Sequence, residues 1–388
     1  MRVLVTTTPG TGHIYPVVPV ARALRDSGHD VVWATSGVSC GVVERFGFAA
    51  RPCGIDPDER TRRFMERYVG SLASVPPSER RALTFAGFFA EIAAPIMASG
   101  LVEIFDQVRP DLVVHEIAEM GVVPIATRHG VPRIVVAYSG ALPPEVVEAA
   151  ADAVRPLWDR FSLPILSDIG LYSHEYLHPF PPSLGQRAEM SAVHDVRPVP
   201  SEPAVGADEF AWLSRLGVER PLVYATFGTA IGAHAPWEQT LAAVARLNVD
   251  AVVTTGNRVD LAPLLAQLDE TARSRIVVRD YVPQAWVLAR AAVAVSHAGA
   301  GTMLGAGIAG IPQVALPMGA DQFANADAFA AAGAAVTFHQ TTAFDSDSLA
   351  DQISLVLEGD KFRMTAAKLA ADFAAMPHPD AVIAALTR

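Results

Sequence analysis

Short, continuous runs of Val, Ile, Leu and Ala recur along this 388-residue chain, with stretches of helical spacing between them. In the first half they fall at residues 2–7, 30–34, 111–115 and 133–138. In the second half they fall at 222–227, 251–255, 275–279, 292–296, 313–317 and 335–338. The runs are unbroken rather than alternating, as strands covered on both faces require. Their alternation with helices calls for βαβ units and doubly wound parallel sheets, an α/β fold. The series breaks between His178 and Pro203, where H-P-F-P-P and R-P-V-P-S-E-P stand. Such a proline-rich stretch is extended and semi-rigid, so it reads as a connection between two α/β domains. The expected organisation is an N-terminal domain over 1–195, a linker over 196–210, a C-terminal domain over 211–370 and a final helix, 371–388, returning to the N-terminal domain.

Composition removes several functions. At 51% hydrophobic and 18% charged the chain is globular rather than disordered. A net charge of −11 leaves no broad basic surface for nucleic acid. It also means that any anionic ligand must be held by a local arrangement. Cys40 and Cys53 make neither a disulfide framework nor a zinc site. The opening M-R-V-L-V-T-T-T has too short an apolar run for a signal peptide. No uninterrupted apolar segment reaches the ~18–20 residues that span a bilayer; the longest, 291–320, is punctuated by Gly and Pro. These features predict a cytoplasmic protein with no membrane segment.

Two glycine turns follow predicted strands. In S-H-A-G-A-G-T, Ser296 and His297 end a strand, and Gly299 and Gly301 let a ligand approach the backbone. Thr302 then opens a helical run that Gly310-Ile311-Pro312 stops. Strand, glycine turn and helix point free N–H groups at an anion, although a tight βα turn needing glycine for packing alone has the same pattern. No Lys or Arg occurs between Arg290 and Lys361. A bound phosphate would therefore lean on the helix N-terminus, the Thr302 hydroxyl and His297.

The second turn, T-T-T-P-G-T-G-H-I-Y-P, places His13 just before a helix at the mouth of the first strand. Gly10 and Gly12 begin a dinucleotide fingerprint, but Tyr15 stands where its third glycine belongs and no acid ends the second strand. A dehydrogenase is thereby disfavoured. A histidine base needs an orienting group; Glu116, at the end of run 111–115, is favoured over Glu119. Asp345-Ser346-Asp347 resembles a metal-binding Asp-x-Asp, yet its place before a helical run reads as a cap, and no metal site is expected. Phe85, Phe88 and Phe89 form either a helix's buried face or an apolar wall.

Assembled, these motifs make the chain resemble a family 1 glycosyltransferase of the two-domain GT-B fold, two Rossmann-like doubly wound sheets facing across a cleft. It is most similar to the actinobacterial enzymes that decorate antibiotics, such as the calicheamicin and macrolide glycosyltransferases. The resemblance covers essentially the whole chain, and 281–322 carries its most specific part. It implies an inverting sugar transfer from a nucleotide diphosphate sugar to a hydroxyl of a natural product, with His13 as the base and Glu116 as its acid partner, where the family usually has aspartate. It implies donor contacts from Gly12, Gly228, Thr229, Val282, Gln284, His297, Gly299, Ala300, Gly301, Thr302, Asp321 and Gln322. Tyr281 stands where plant relatives have tryptophan. Acceptor contacts are expected from Phe85, Phe88, Phe89 and Tyr138. Many relatives hold the ribose hydroxyls with a glutamate at the position of Gly305; its loss favours dTDP over UDP. No cofactor beyond the donor is implied, and a homodimer is compatible with the resemblance. A nucleotide-sugar epimerase on the same fold would consume donor without acceptor. A non-catalytic helper of a partner transferase would show decay at His13 and the donor motifs, and neither has decayed.

Overall fold

The computed structural model describes residues 1–72, 74–187, 192–201, 207–229, 232–256, 259–338 and 345–387. Part of the expected linker, 202–206, lies outside the described residues. Two compact units divide the chain. The first comprises Met1–Phe180, Gln186–Pro203 and Pro377–Arg388; the second comprises Pro181–Gly185 and Ala204–Met376.

The first unit is built on an all-parallel sheet of β1 (Arg2–Thr6), β2 (Asp30–Thr35), β3 (Ala49–Pro52), β4 (Leu112–Glu116), β5 (Arg133–Val136), β6 (Glu175–His178) and β7 (Val193–Asp195). Their spatial order is β3-β2-β1-β4-β5-β6-β7. Residues alternate between two cores. Leu4, Ala34, Val113 and Val135 pack beneath the helices Ala94–Val108, Val122–His129 and Pro144–Arg160. Val3, Val5, Trp33, Val114 and Ile134 pack beneath Val18–Asp26 and the C-terminal helix Pro379–Leu386. Burial on both faces is why these strands read as continuous apolar runs.

Three strands depart from the sequence reading. β3 is A-A-R-P, without β-branched residues, and β6 and β7 are short pieces in and beside the proline-rich stretch. That stretch is thus partly sheet edge rather than wholly extended linker. The helical run Glu79–Val108, though interrupted by Glu91, is long and apolar enough to cross a membrane by length and composition. Its Phe85, Ala90, Ala94, Met97 and Leu101 are buried in the first unit's core. The run widens to a π-helix over Ala86–Ala93, a local irregularity that the sequence pattern does not signal.

The second unit holds a parallel sheet of β8 (Leu222–Thr226), β9 (Asp250–Thr254), β10 (Ile276–Arg279), β11 (Val293–Ser296), β12 (Gln313–Ala315) and β13 (Ala335–Thr337), in the order β10-β9-β8-β11-β12-β13. Val223, Ala251 and Val293 enter one core with helices Trp237–Arg246 and Ser346–Glu358. Tyr224, Val252 and Ala294 enter another with Gln284–Leu288 and Ala300–Ala309.

In both sheets the strand order reverses beside the first strand. β1 pairs with β2 on one side and β4 on the other; β8 pairs with β9 and β11. Chain connections leave such a switch point in opposite directions and open a crevice at the strands' C-terminal ends. The loops after β1 and β4, and those after β8 and β11, therefore emerge side by side. They carry the two candidate motifs.

Candidate active site

On the first unit the chain leaves β1 through Thr7–Gly10 and enters a single helical turn, Thr11–Ile14. Gly10 has φ 116°, open to glycine but strained for other residues, and its carbonyl accepts the His13 amide at 3.1 Å. The turn thus includes His13 rather than following it. His13 Nδ1 lies 3.3 Å from Glu116 Oε1, at ion-pair distance but without hydrogen-bond alignment. The contact is as loose as catalytic pairs commonly are without substrate.

Glu116 is fully buried. Its Oε1 accepts from the Thr8 amide at 3.1 Å and the Thr8 hydroxyl at 2.6 Å, and Oε2 accepts from the Ala118 amide at 2.5 Å. Burial pushes its pKa up, but the facing His13 and these hydrogen bonds outweigh burial and hold it below the usual range. Glu119 points elsewhere: it accepts from Thr6 Oγ1 at 2.5 Å and from the amides of Gly121 and Val122 at 2.7 and 3.2 Å. Burial, aided by the Glu116 charge, pushes Glu119 up to about 7. Of the two candidate acids, the one beside His13 is therefore also the one kept ionised.

Aromatic rings border the imidazole. Phe89 packs at a 5.3 Å centroid separation and Tyr138 meets it edge-on at 5.1 Å. Phe85 is buried behind Phe89 and belongs to the core, offering a ligand little surface. Phe88 stacks on Phe64 at 3.9 Å. Sequence reasoning missed Arg60, whose guanidinium lies over Phe89 at 4.9 Å and Phe88 at 5.5 Å. Burial lowers its pKa, opposed by Glu116 and Tyr138. Arg60 stands in the charged run D-P-D-E-R-T-R-R, where composition gave no signal that it turns inward.

On the second unit, β11 ends at Ser296 and the backbone turns left-handed at Ala298, φ 62°. The Ala298 amide donates to Ser296 Oγ at 3.1 Å, and Asn325 Nδ2 donates to the Ala298 carbonyl at 3.2 Å. Gly299 caps the helix Ala300–Ala309, leaving first-turn amides at its open end. The His297 ring is wedged between two glycines. A β-carbon on Gly228 would fall 2.9 Å from Cε1, and one on Gly299 would fall 2.4 Å from Nε2. Burial pushes this imidazole down to about 4 against the pull of Asp321, so it is neutral near pH 7. Its Nδ1 is buried without a partner.

The remaining predicted donor residues differ in placement. Gln284 bridges the turn: its Nε2 donates to the Gly301 carbonyl and its Oε1 accepts from Thr302 Oγ1, each at 3.2 Å. Val282 is buried in the core, while Tyr281 is exposed. Asp321 Oδ2 accepts from Asn325 at 2.9 Å. Gln322 Oε1 is engaged by the amides of Met318 and Gly319 at 2.8 and 3.0 Å, leaving its amide NH2 group for a ligand. Thr229 is exposed beside Gly228. Gly256 packs against that turn, where a β-carbon would meet the Gly228 carbonyl at 2.8 Å. Gly12 belongs to the first unit and is exposed there. A β-carbon on Gly305 would lie 2.4 Å from Gln284 Nε2, so the amide fills the space that a longer residue there would need.

Asp345 accepts the Ser348 amide at 2.8 Å and its own amide donates to Ser348 Oγ at 3.2 Å, a capping box for Ser346–Glu358. Among the described residues no group of three or more His, Cys, Asp or Glu is placed to hold a metal.

Residues 238–388 match the family described as Erythromycin biosynthesis protein CIII-like, C-terminal domain. Over almost its whole length the chain is 31% identical to the L-demethylnoviosyl transferase of Streptomyces niveus, covering 98% of this chain and 96% of that protein. It is 27% identical to the 4'-demethylrebeccamycin synthase of Lentzea aerocolonigenes, covering 99% and 98%. The fold matches the spinosyn rhamnosyltransferase SpnG complexed with thymidine diphosphate at a TM-score of 0.79 and 24% identity, covering 100% of both chains.

Proposed function

The chain belongs to the family 1 glycosyltransferases of the GT-B fold, related to actinobacterial natural-product enzymes, and we propose that it transfers a hexose, with inversion, from a dTDP-sugar to a hydroxyl of a small-molecule aglycone. The observation that carries this reading is His13 set against a buried, ionised Glu116 beside Phe89 and Tyr138. His13 takes the proton of the acceptor hydroxyl, and Glu116 stabilises the resulting imidazolium. The acceptor oxygen attacks the anomeric carbon opposite the diphosphate, whose C–O bond breaks and whose oxygen keeps the electron pair. A single displacement inverts the carbon.

The leaving diphosphate falls to the second unit. With no Lys or Arg between Arg290 and Lys361, its charge is met by the amides opening Ala300–Ala309 and by His297, joined by the Thr302 hydroxyl when it turns from Gln284 Oε1 to the phosphate. A neutral His297 acts there as a hydrogen-bond donor. Asp321 and the Gln322 amide serve the sugar hydroxyls. Position 305 offers no carboxylate to a ribose diol, and Gln284 occupies the neighbouring space. A 2′-hydroxyl would gain nothing there, which favours the deoxyribose donor. The reading assigns no metal cofactor and places the enzyme in the cytoplasm with its nucleotide sugar.

The test is incubation with dTDP-glucose or UDP-glucose and a panel of phenolic and macrocyclic acceptors. The expected result is an inverted glycoside plus released nucleotide, with kcat/KM about tenfold higher for dTDP-glucose, the worth of one good hydrogen bond. Donor consumption without acceptor would replace this reading with an epimerase. Absence of donor binding would replace it with a helper protein.

A further inference from the structure

We propose that Arg60 recognises an anionic group on the acceptor, a carboxylate or ionised enol carried by an aromatic aglycone whose hydroxyl reaches His13. The inference rests on the glycosyltransferase reading and adds a substrate class to it. Arg60 Nε and Nη1 are buried without a hydrogen-bond partner. Buried donors of a charged group are costly to leave unpaired, so their presence beside a candidate site points to a ligand that pairs them.

Neighbours on the helix Pro57–Leu72 behave differently. Arg62 and Arg63 reach Glu59 at 2.6 and 2.7 Å, and Arg62 also reaches Glu66 at 2.5 Å. Arg60 instead turns to the rings. It shares Phe89 with His13, at 4.9 Å on the guanidinium side and 5.3 Å on the imidazole side. Phe88 and Phe89 support the planar fork without consuming its N–H groups. Glu116, the buried carboxylate nearby, is already held by Thr8, Ala118 and His13. The guanidinium thus keeps its charge and two donors for an incoming group. In a chain of net charge −11, that local cation selects an acid that the rest of the surface would repel.

The probe pair is 6-hydroxy-2-naphthoate and its methyl ester, titrated by naphthol fluorescence into the full chain, with sugar transfer to each followed in parallel. Wild type is expected to bind the acid at least about tenfold more tightly than the ester, as a charge-assisted hydrogen bond provides. Arg60→Gln is expected to remove the preference, and Arg60→Lys, which keeps the charge without the fork, to retain part of it. An unchanged circular dichroism spectrum and thermal midpoint report that each variant is folded. Equal affinity of wild type for acid and ester, or no binding of either, overturns the proposal. A preference surviving in Arg60→Gln overturns it too, as does equal loss of both ligands, which would make Arg60 a prop for the rings. Selective acid binding without sugar transfer would instead sink the transferase reading and leave the anion site standing.

Discussion

Glu116 ends β4 and Glu119 follows three residues later in the loop, yet their surroundings hold opposite charge states. Three donors and His13 keep Glu116 ionised, whereas Glu119 is pushed up to about 7 by burial. For Glu119 the linkage has a definite sign. The folded form holds its proton more tightly than the unfolded form, so its stabilising contribution is full below the ordinary carboxyl value near 4.5 and is lost as pH rises to about 7. Glu119→Gln keeps the shape and accepts from Gly121 and Val122, with its NH2 group donating to Thr6 Oγ1 instead of an oxygen accepting from it, and does not titrate. The variant is expected to gain on wild type between pH 5 and pH 8, by up to about 3 kcal/mol, in urea unfolding at both pH values. An unchanged difference between the two proteins across that range would contradict the assignment. Residue identity made His13 conspicuous, but sequence alone could only rank Glu116 above Glu119, because a side chain's direction out of a loop depends on which amides it finds. Arg60 was not legible at all: its inward turn depends on the rings of Phe88 and Phe89, far along the chain.

At the level of elements, the central strands were legible to within a residue or two, because burial on both faces forces unbroken apolar runs. Strands β3, β6 and β7 were not: β3 is A-A-R-P, without β-branched residues, and β6 and β7 are short pieces in and beside the proline-rich stretch. The glycine turns were legible as turns, but the reason for two of their glycines lies in the His297 ring. Gly299 has an ordinary φ of −60°, so alanine there is barred by space and not by backbone strain. Gly228 closes the ring's other side, which leaves His297 no room to slide away. Gly299→Ala is therefore expected to force His297 from its slot, to weaken dTDP binding by about tenfold or more, a loss on the scale of one charge-assisted hydrogen bond, and to lower the thermal midpoint as overpacking does. Calorimetric titration with dTDP reads the affinity and thermal unfolding the midpoint; intact affinity would show that His297 does not contact the diphosphate.

At the scale of the whole molecule, two sheets of related strand order each offer a switch point, and each switch point carries one half of the proposed chemistry. The alternation of apolar runs made this doubling legible. Pro379–Leu386 belongs to the first unit, where Val382 and Ile383 pack beneath the sheet with Val18–Asp26. The proposed division of labour has a separable signature, since removing the base must stop transfer without touching the nucleotide. The decisive measurement is His13→Ala assayed for both kcat and dTDP affinity. The expected result is a loss of about 10²–10⁴-fold in kcat with dTDP affinity unchanged; turnover at the wild-type rate would contradict His13 as the base.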